Sequence, residues 1–243
     1  AAPPADPNQV WYPYREADTT YLYFLQEGSG SVAYDSSGNG RNCSIDPSVL
    51  WTSSKFGYGL DFNRANYGDS RSLSCGAAIP LTAFTIEFWY KPDADDGGRI
   101  AGELSASAQN WLLANFEGRI RLDTWECSTC GSQAVTSNFS LRDSRYVGRW
   151  NHIAVTFNGG NQVKFYINGA LDSTKYLEDS GINTYAVPLE IGSAMGIGQI
   201  KANLGTFRIS NGVKTSFPYG AFAAITSEPT TAVGQVITPP PTG

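Results

Sequence analysis

The stretch from Gly148 to Leu171, GRWNHIAVTFNGGNQVKFYINGAL, constrains this chain more than any other. Ile153, Val155 and Phe157 alternate with polar or small residues, and Val163, Phe165 and Ile167 do the same. A period of two sends one side of each segment into a core, so both read as β-strands. Asn158-Gly159-Gly160-Asn161 separates them, and Asn168-Gly169 follows directly. Asn and Gly adopt positive φ at little cost, so each can reverse the chain between antiparallel strands. The segment predicts a hairpin with a second tight reversal behind it.

Further blocks surround this one in a recognisable order. Tyr23-Phe24 with Glu27-Gly28-Ser29-Gly30 and Asp35-Ser36-Ser37-Gly38-Asn39-Gly40 comes first, then Gly57-Tyr58-Gly59-Leu60-Asp61-Phe62. Phe84 to Pro92 (FTIEFWYKP), Leu189-Glu190-Ile191-Gly192 and Gly205 to Ser210 (GTFRIS) complete the set. Together with the hairpin, these blocks resemble laminin-G-like, concanavalin-A-like lectin and glucanase jelly-roll domains over residues 20–225. The resemblance implies an all-β fold, a two-sheet antiparallel β-sandwich of jelly-roll type with little helix. It says far less about function, since one sandwich hosts lectins, adhesins, hydrolases and structural modules.

Composition agrees with a β-sandwich. Aromatic residues reach 13%, Val, Ile and Thr fall on alternating positions, and no window holds a sustained helical period. A length of 243 residues suits one large sandwich with terminal segments rather than two domains. Residues 1–19 carry several prolines, and residues 226–243 run TSEPTTAVGQVITPPPTG, so both read as extended arms around a sandwich at 20–225. Charged residues are only 16% and the net charge is −5 with Lys and Arg scattered, which argues against a nucleic-acid partner. No apolar run approaches the roughly 20 residues that span a bilayer, so membrane insertion is not expected.

Ala at position 1, with Met195 the sole methionine, suggests that a leading segment was removed, as a secretory signal would be. The cysteines fit an extracellular, cell-surface or virion-surface location. Cys43, Cys75, Cys127 and Cys130 are even in number, and Cys127-Ser128-Thr129-Cys130 sits in a Ser/Thr/Gly-rich segment. Of the three pairings that four cysteines allow, Cys43 with Cys75 and Cys127 with Cys130 is the expected one. Zinc is disfavoured because His152 is the only histidine and falls on a strand. Asn42-Cys43-Ser44 and Asn138-Phe139-Ser140 match the glycosylation acceptor triplet.

Catalytic chemistry finds little support. Glycosidases of this fold place paired carboxylates on one strand face, because an acid and a nucleophile must flank the same bond. Here Glu87 stands alone in its strand, and Asp123 and Glu126 lie three apart. No nucleophile elbow, P-loop or dinucleotide fingerprint occurs. The expectation is a non-enzyme. Strand parity turns Phe84, Ile86, Phe88 and Tyr90 inward and Trp89 outward, turns Arg121, Asp123 and Trp125 away from Ile120 and Leu122, and turns His152 and Tyr166 away from the core. Aromatic rings beside charged and amide groups are what a sugar needs. Trp89, Arg121, Asp123, Trp125, His152 and Tyr166 are therefore the candidate saccharide groove on a concave outer face.

The resemblance also raises calcium at a loop rim, where Asp35 and Asn39 offer hard oxygen ligands; the same residues make an ordinary Asx turn. Two functions follow from these observations. One is a non-catalytic recognition or adhesion module that binds a glycan. The other is a structural or decoration subunit of an extracellular filament or virion surface, whose arms contact neighbouring subunits in a homo- or hetero-oligomeric assembly.

Overall fold

A computed structural model describes residues 13–62, 71–126 and 131–217. Among them the chain forms sixteen strands and no helix. In chain order these are β1 (Thr19–Tyr23), β2 (Val32–Ala33), β3 (Cys43–Ile45), β4 (Leu50–Ser54), β5 (Gly57–Asp61), β6 (Leu73–Ala77), β7 (Phe84–Pro92) and β8 (Gly98–Leu104). The second half supplies β9 (Gln109–Phe116), β10 (Arg119–Thr124), β11 (Gln133–Thr136), β12 (Asn151–Phe157), β13 (Gln162–Ile167), β14 (Ala170–Tyr176), β15 (Pro188–Ile191) and β16 (Ala202–Asn211).

They pair antiparallel into two sheets. Sheet A runs β14-β13-β12-β7-β16-β5-β4, with β1 also on β16, and sheet B runs β11-β10-β9-β8-β15-β6-β3-β2. Inward residues of both sheets share one core, including Phe84, Phe88, Phe157, Phe165 and Phe207 from sheet A and Trp111, Leu113, Ile120 and Leu189 from sheet B. This is the jelly-roll sandwich that the resemblance implied.

The hairpin stands as read. Ile153 lies opposite Ile167, Val155 opposite Phe165 and Phe157 opposite Val163, and all six side chains enter the core. Asn168 and Gly169 carry φ of 50° and 82°, a two-residue turn whose twist matches the strands it joins. Gly159 has φ of 80°, and a Cβ there would sit 2.9 Å from the Thr82 carbonyl oxygen, so this position excludes a side chain.

Cys43 and Cys75 form a disulfide between neighbouring strands β3 and β6, with Cα atoms 4.0 Å apart. Cys127 and Cys130 lie outside the described residues, as do residues 1–12 of the expected N-terminal arm, the whole expected C-terminal arm (226–243) and residues 218–225 before it. Residues 14–18 and 214–217 pack on sheet A.

Candidate functional site

The six residues expected to line one groove divide between two faces. Trp89, His152 and Tyr166 stand on the outer side of sheet A, on β7, β12 and β13, whereas Arg121 and Asp123 stand on the outer side of sheet B, on β10, with Trp125 just beyond. They cannot form one site. Parity separates inward from outward, but strand pairing decides which sheet a strand joins, and the alternation carries no such information.

The sheet A residues are also not open. His152 pairs in register with Trp89, and Glu87 lies between Ala154 on one side and Arg208 on the other. Trp89, Ala154, Tyr166 and Phe217 make a second apolar cluster, with Phe56 and Trp150 packed against it. The Phe217 ring sits 4.7 Å from Tyr166 and 5.9 Å from His152, and Phe56 meets Trp89 edge-on at 5.2 Å. Lys55 Nζ lies 5.0 Å from the Trp89 ring centre, and burial lowers its pKa. Trp89 and His152 are almost wholly withdrawn from solvent, at 1% and 0% exposed. A saccharide has no access to these faces.

Beneath this cover runs a buried ionic network. Arg208 Nε donates to Glu87 Oε1 at 2.7 Å, its Nη2 reaches the same oxygen, and His152 Nε2 lies 3.3 Å from Glu87 Oε2. Burial works against ionisation of Glu87, yet His152 and the Arg208 charge hold its carboxyl below the usual range. Burial pushes His152 down, with Glu87 working against it. The network extends to residues 14–18 and to Lys214. Arg208 Nη1 donates to the Tyr14 carbonyl and lies 3.6 Å from Glu16, while Lys214 Nζ pairs with Glu16 and with Asp18 at 2.9 Å. A buried charge set of this kind costs desolvation and holds only with its partners in place, which ties residues 14–18 and 214–217 to sheet A.

The Asp35 loop has the wrong polarity for a cation. The N–H groups of Leu22, Ser37 and Arg41 and the Ser37 hydroxyl all donate to the Asp35 carboxylate, at 2.8 to 3.2 Å. Asn39 Nδ2 donates to the Thr20 carbonyl at 2.8 Å. This is the buried Asx turn, its carboxylate satisfied by donors, and it does not fit calcium as Asp35 and Asn39 were expected to. Asn42 and Asn138, the glycosylation candidates, are both exposed.

Sheet B retains an open site. Register places Arg121 opposite Ala114 and Asp123 opposite Leu112, and Arg99 opposite Ala114 from the other side, so these side chains share the outer face. Together with Phe116, Ile197 and Gln199 they line a cavity of about 510 Å³. Arg121 grips Asp123 in two parallel hydrogen bonds, Nε at 2.9 Å and Nη2 at 2.6 Å, and its guanidinium lies 5.1 Å from the Phe116 ring centre. Burial raises the Asp123 pKa, with Arg121 and Arg99 opposing. Phe116 and Ile197 are each half exposed, an apolar rim beside this charge pair.

One wall of the cavity is the turn between β15 and β16. The Arg99 N–H donates to the Gly198 carbonyl at 2.5 Å and its Nη1 to the Ala194 carbonyl at 2.7 Å. Gly98 permits this approach: a Cβ there would meet the Gln199 oxygen at 2.3 Å. Gln199, 1% exposed, accepts from the Arg71 N–H through Oε1, and its Nε2 meets no acceptor among the described residues. Of the expected residues, then, Arg121 and Asp123 belong to the open site. Arg99, Phe116 and Gln199 join them only through the fold.

A two-sheet jelly roll with a groove on one outer face defines the class as a concanavalin-A-like β-sandwich. The chain belongs to the concanavalin A-like lectin/glucanases superfamily, whose family model matches residues 65–216, more than half of its length. No curated protein sequence matches it. The binding domain of Paraclostridial Mosquitocidal Protein 1 is similar in structure, with TM-score 0.62 and 16% identity over 85% of this chain and 52% of that one. The botulinum neurotoxin serotype D binding domain gives 0.63 and 14%, over 85% and 51%. Domain 4 of AbnA, a GH43 extracellular arabinanase from Geobacillus stearothermophilus solved in complex with arabinotriose, gives 0.60 and 18%, over 83% and 96%. This chain spans about half the length of the toxin domains. At these identities the likeness is one of fold.

Proposed function

We propose that this chain is a non-catalytic, extracellular or surface-displayed recognition module that binds carbohydrate in the sheet B groove. The observation that carries this reading is the cluster of Phe116, Arg121 and Asp123 in a cavity of about 510 Å³. An apolar ring can take the C–H face of a sugar while the fixed charge pair orients its hydroxyls. Asp123 is the only carboxylate among the described lining residues and is held by Arg121. A glycosidase needs two carboxylates across one bond, so the lining favours binding over hydrolysis. The arabinotriose complex of the arabinanase domain lends support by analogy of fold.

A glycan array probed with the purified chain and with Phe116→Ala tests the reading. Saccharide binding that Phe116→Ala weakens supports it, and an array with no bound glycan removes it.

A second reading, assembly through the arms, draws on one observation. Residues 14–18 and 214–217 meet on the same face, where the Asn211 N–H donates to the Asp18 carbonyl at 2.8 Å and Lys214 pairs with Glu16 and Asp18. Deleting residues 226–243 and measuring particle mass by light scattering tests it; an unchanged mass removes it.

A further inference from the structure

We infer that the sheet B groove recognises its saccharide through a carboxylate, as a uronic-acid residue would present, with Arg99 as the anchoring cation. This inference rests on the saccharide reading above and adds the chemical class of the sugar.

The charges of the groove do not cancel. Arg121 and Asp123 neutralise each other in a bidentate pair. Arg99 has no such partner: its side chain donates once, from Nη1 to the Ala194 carbonyl, and no carboxylate pairs with it among the described residues. The lining therefore carries two cations and one anion on a chain whose net charge is −5. A positive site on an otherwise acidic protein attracts an anion locally without making the surface generally basic.

The hydrogen-bond inventory points the same way. Arg99 Nε and Nη2 are donors without an acceptor among the described residues, while the unpartnered Gln199 Nε2 is itself buried. The lining amide whose oxygen lacks a partner is Asn115, and its Nδ2 is turned to Asp96 at 2.7 Å, on the core side of β9. Sugar hydroxyls donate as well as accept, and they would leave such a surplus of donors partly unused. A carboxylate only accepts, and a guanidinium fork matches its two oxygens. The two backbone and side-chain hydrogen bonds that fix Arg99 to the 194–198 turn hold that fork before any ligand arrives. Preorganisation of this kind lowers the ordering cost of binding.

The test uses the whole chain and calorimetric titration with oligogalacturonate, oligoguluronate and oligoglucuronate, each paired with its carboxyl-reduced neutral counterpart. The acidic member of at least one pair should bind about tenfold or more tighter than its reduced form, a gap that narrows as salt rises. Arg99→Gln should close the gap, and Arg99→Lys, which keeps the charge but not the fork, should restore part of it. If Arg99→Gln does not fold, as its melting curve will report, the wild-type gap and its salt dependence decide alone. Equal binding of both members, or preference for the reduced forms, overturns the carboxylate inference and leaves the saccharide reading standing. Silence of every acidic and neutral member overturns the carboxylate inference, and the saccharide reading then stands or falls by the glycan array.

Discussion

Glu103 offers a test of the fold that does not depend on any ligand. It lies on β8, opposite Trp111 and Leu189, and is 2% exposed. Asn110 Nδ2 donates to its Oε2 at 3.0 Å, yet desolvation dominates and pushes its pKa from 4.5 to about 7. Below pH 4.5 the carboxyl is protonated whether the chain is folded or unfolded. Between 4.5 and about 7 the unfolded chain releases the proton and the folded chain keeps it, so folding loses stability as pH rises through this window. The full loss is about 3 kcal/mol, at about 1.4 kcal/mol for each tenfold difference in proton affinity. In Glu103→Gln the titrating group is gone. The variant should therefore gain about 3 kcal/mol on the wild type between pH 4.5 and 8, whatever fixed cost the amide brings. For a chain of this size that is on the order of 6–12 °C in relative melting temperature. His152 titrates in the opposite sense, since burial lowers its pKa and its contribution is lost as pH falls; being common to both proteins, it drops out of the difference. Melting curves of both proteins across this range are the assay. Parallel stability profiles would show that Glu103 ionises in the fold as it does in water, and the reasoning from burial fails.

Other perturbations follow from the same geometry. Arg208→Met leaves Glu87 buried without its cation and should cost about 3–5 kcal/mol in chemical denaturation; a neutral result would mean that the network is not closed. Phe217→Ala should destabilise by about 3–5 kcal/mol and raise acrylamide quenching of the tryptophan fluorescence, because the ring belongs to the cluster that covers Trp89 on the sheet A face. The Cys43→Ala/Cys75→Ala double variant releases a link between residues 32 apart and should lose about 3–4 kcal/mol, read against the oxidised wild type in urea. Gly98→Ala should displace the 194–199 turn from β8 and weaken any saccharide bound in the groove, leaving a variant that folds but binds poorly.

The alternation in β7, β12 and β13 was enough to place Ile86, Phe88, Ile153, Val155 and Phe165 in the core, and the Asn-Gly pair after β13 marked its turn. Outwardness of Trp89, His152 and Tyr166 was equally legible. Their burial was not, because the cover comes from Phe56, Trp150 and Phe217, of which Phe56 and Phe217 are distant in sequence, and the Lys214–Glu16 and Arg208–Glu87 pairs hold the segment leading to Phe217 on sheet A. Strand β8 hides its residues for a different reason. The register shifts between Arg99 and Ala101, so Ile100 and Ala101 are both buried and the parity beyond them flips. Strict alternation from Ile100 would turn Glu103 outward, whereas the bulge turns it into the core. Arg99, Phe116 and Gln199 come from three separate segments and meet only when β8, β9 and the turn before β16 are assembled.

Ligand is proposed to bind on sheet B, whereas the aromatic face of sheet A is closed. Backbone amide shifts recorded by NMR during titration with a saccharide bound on the array test it most directly. Perturbed amides should cluster at residues 98–99, 112–116, 119–123 and 197–199. Shifts centred instead on Trp89, His152 and Tyr166, with the sheet B residues unmoved, would contradict it.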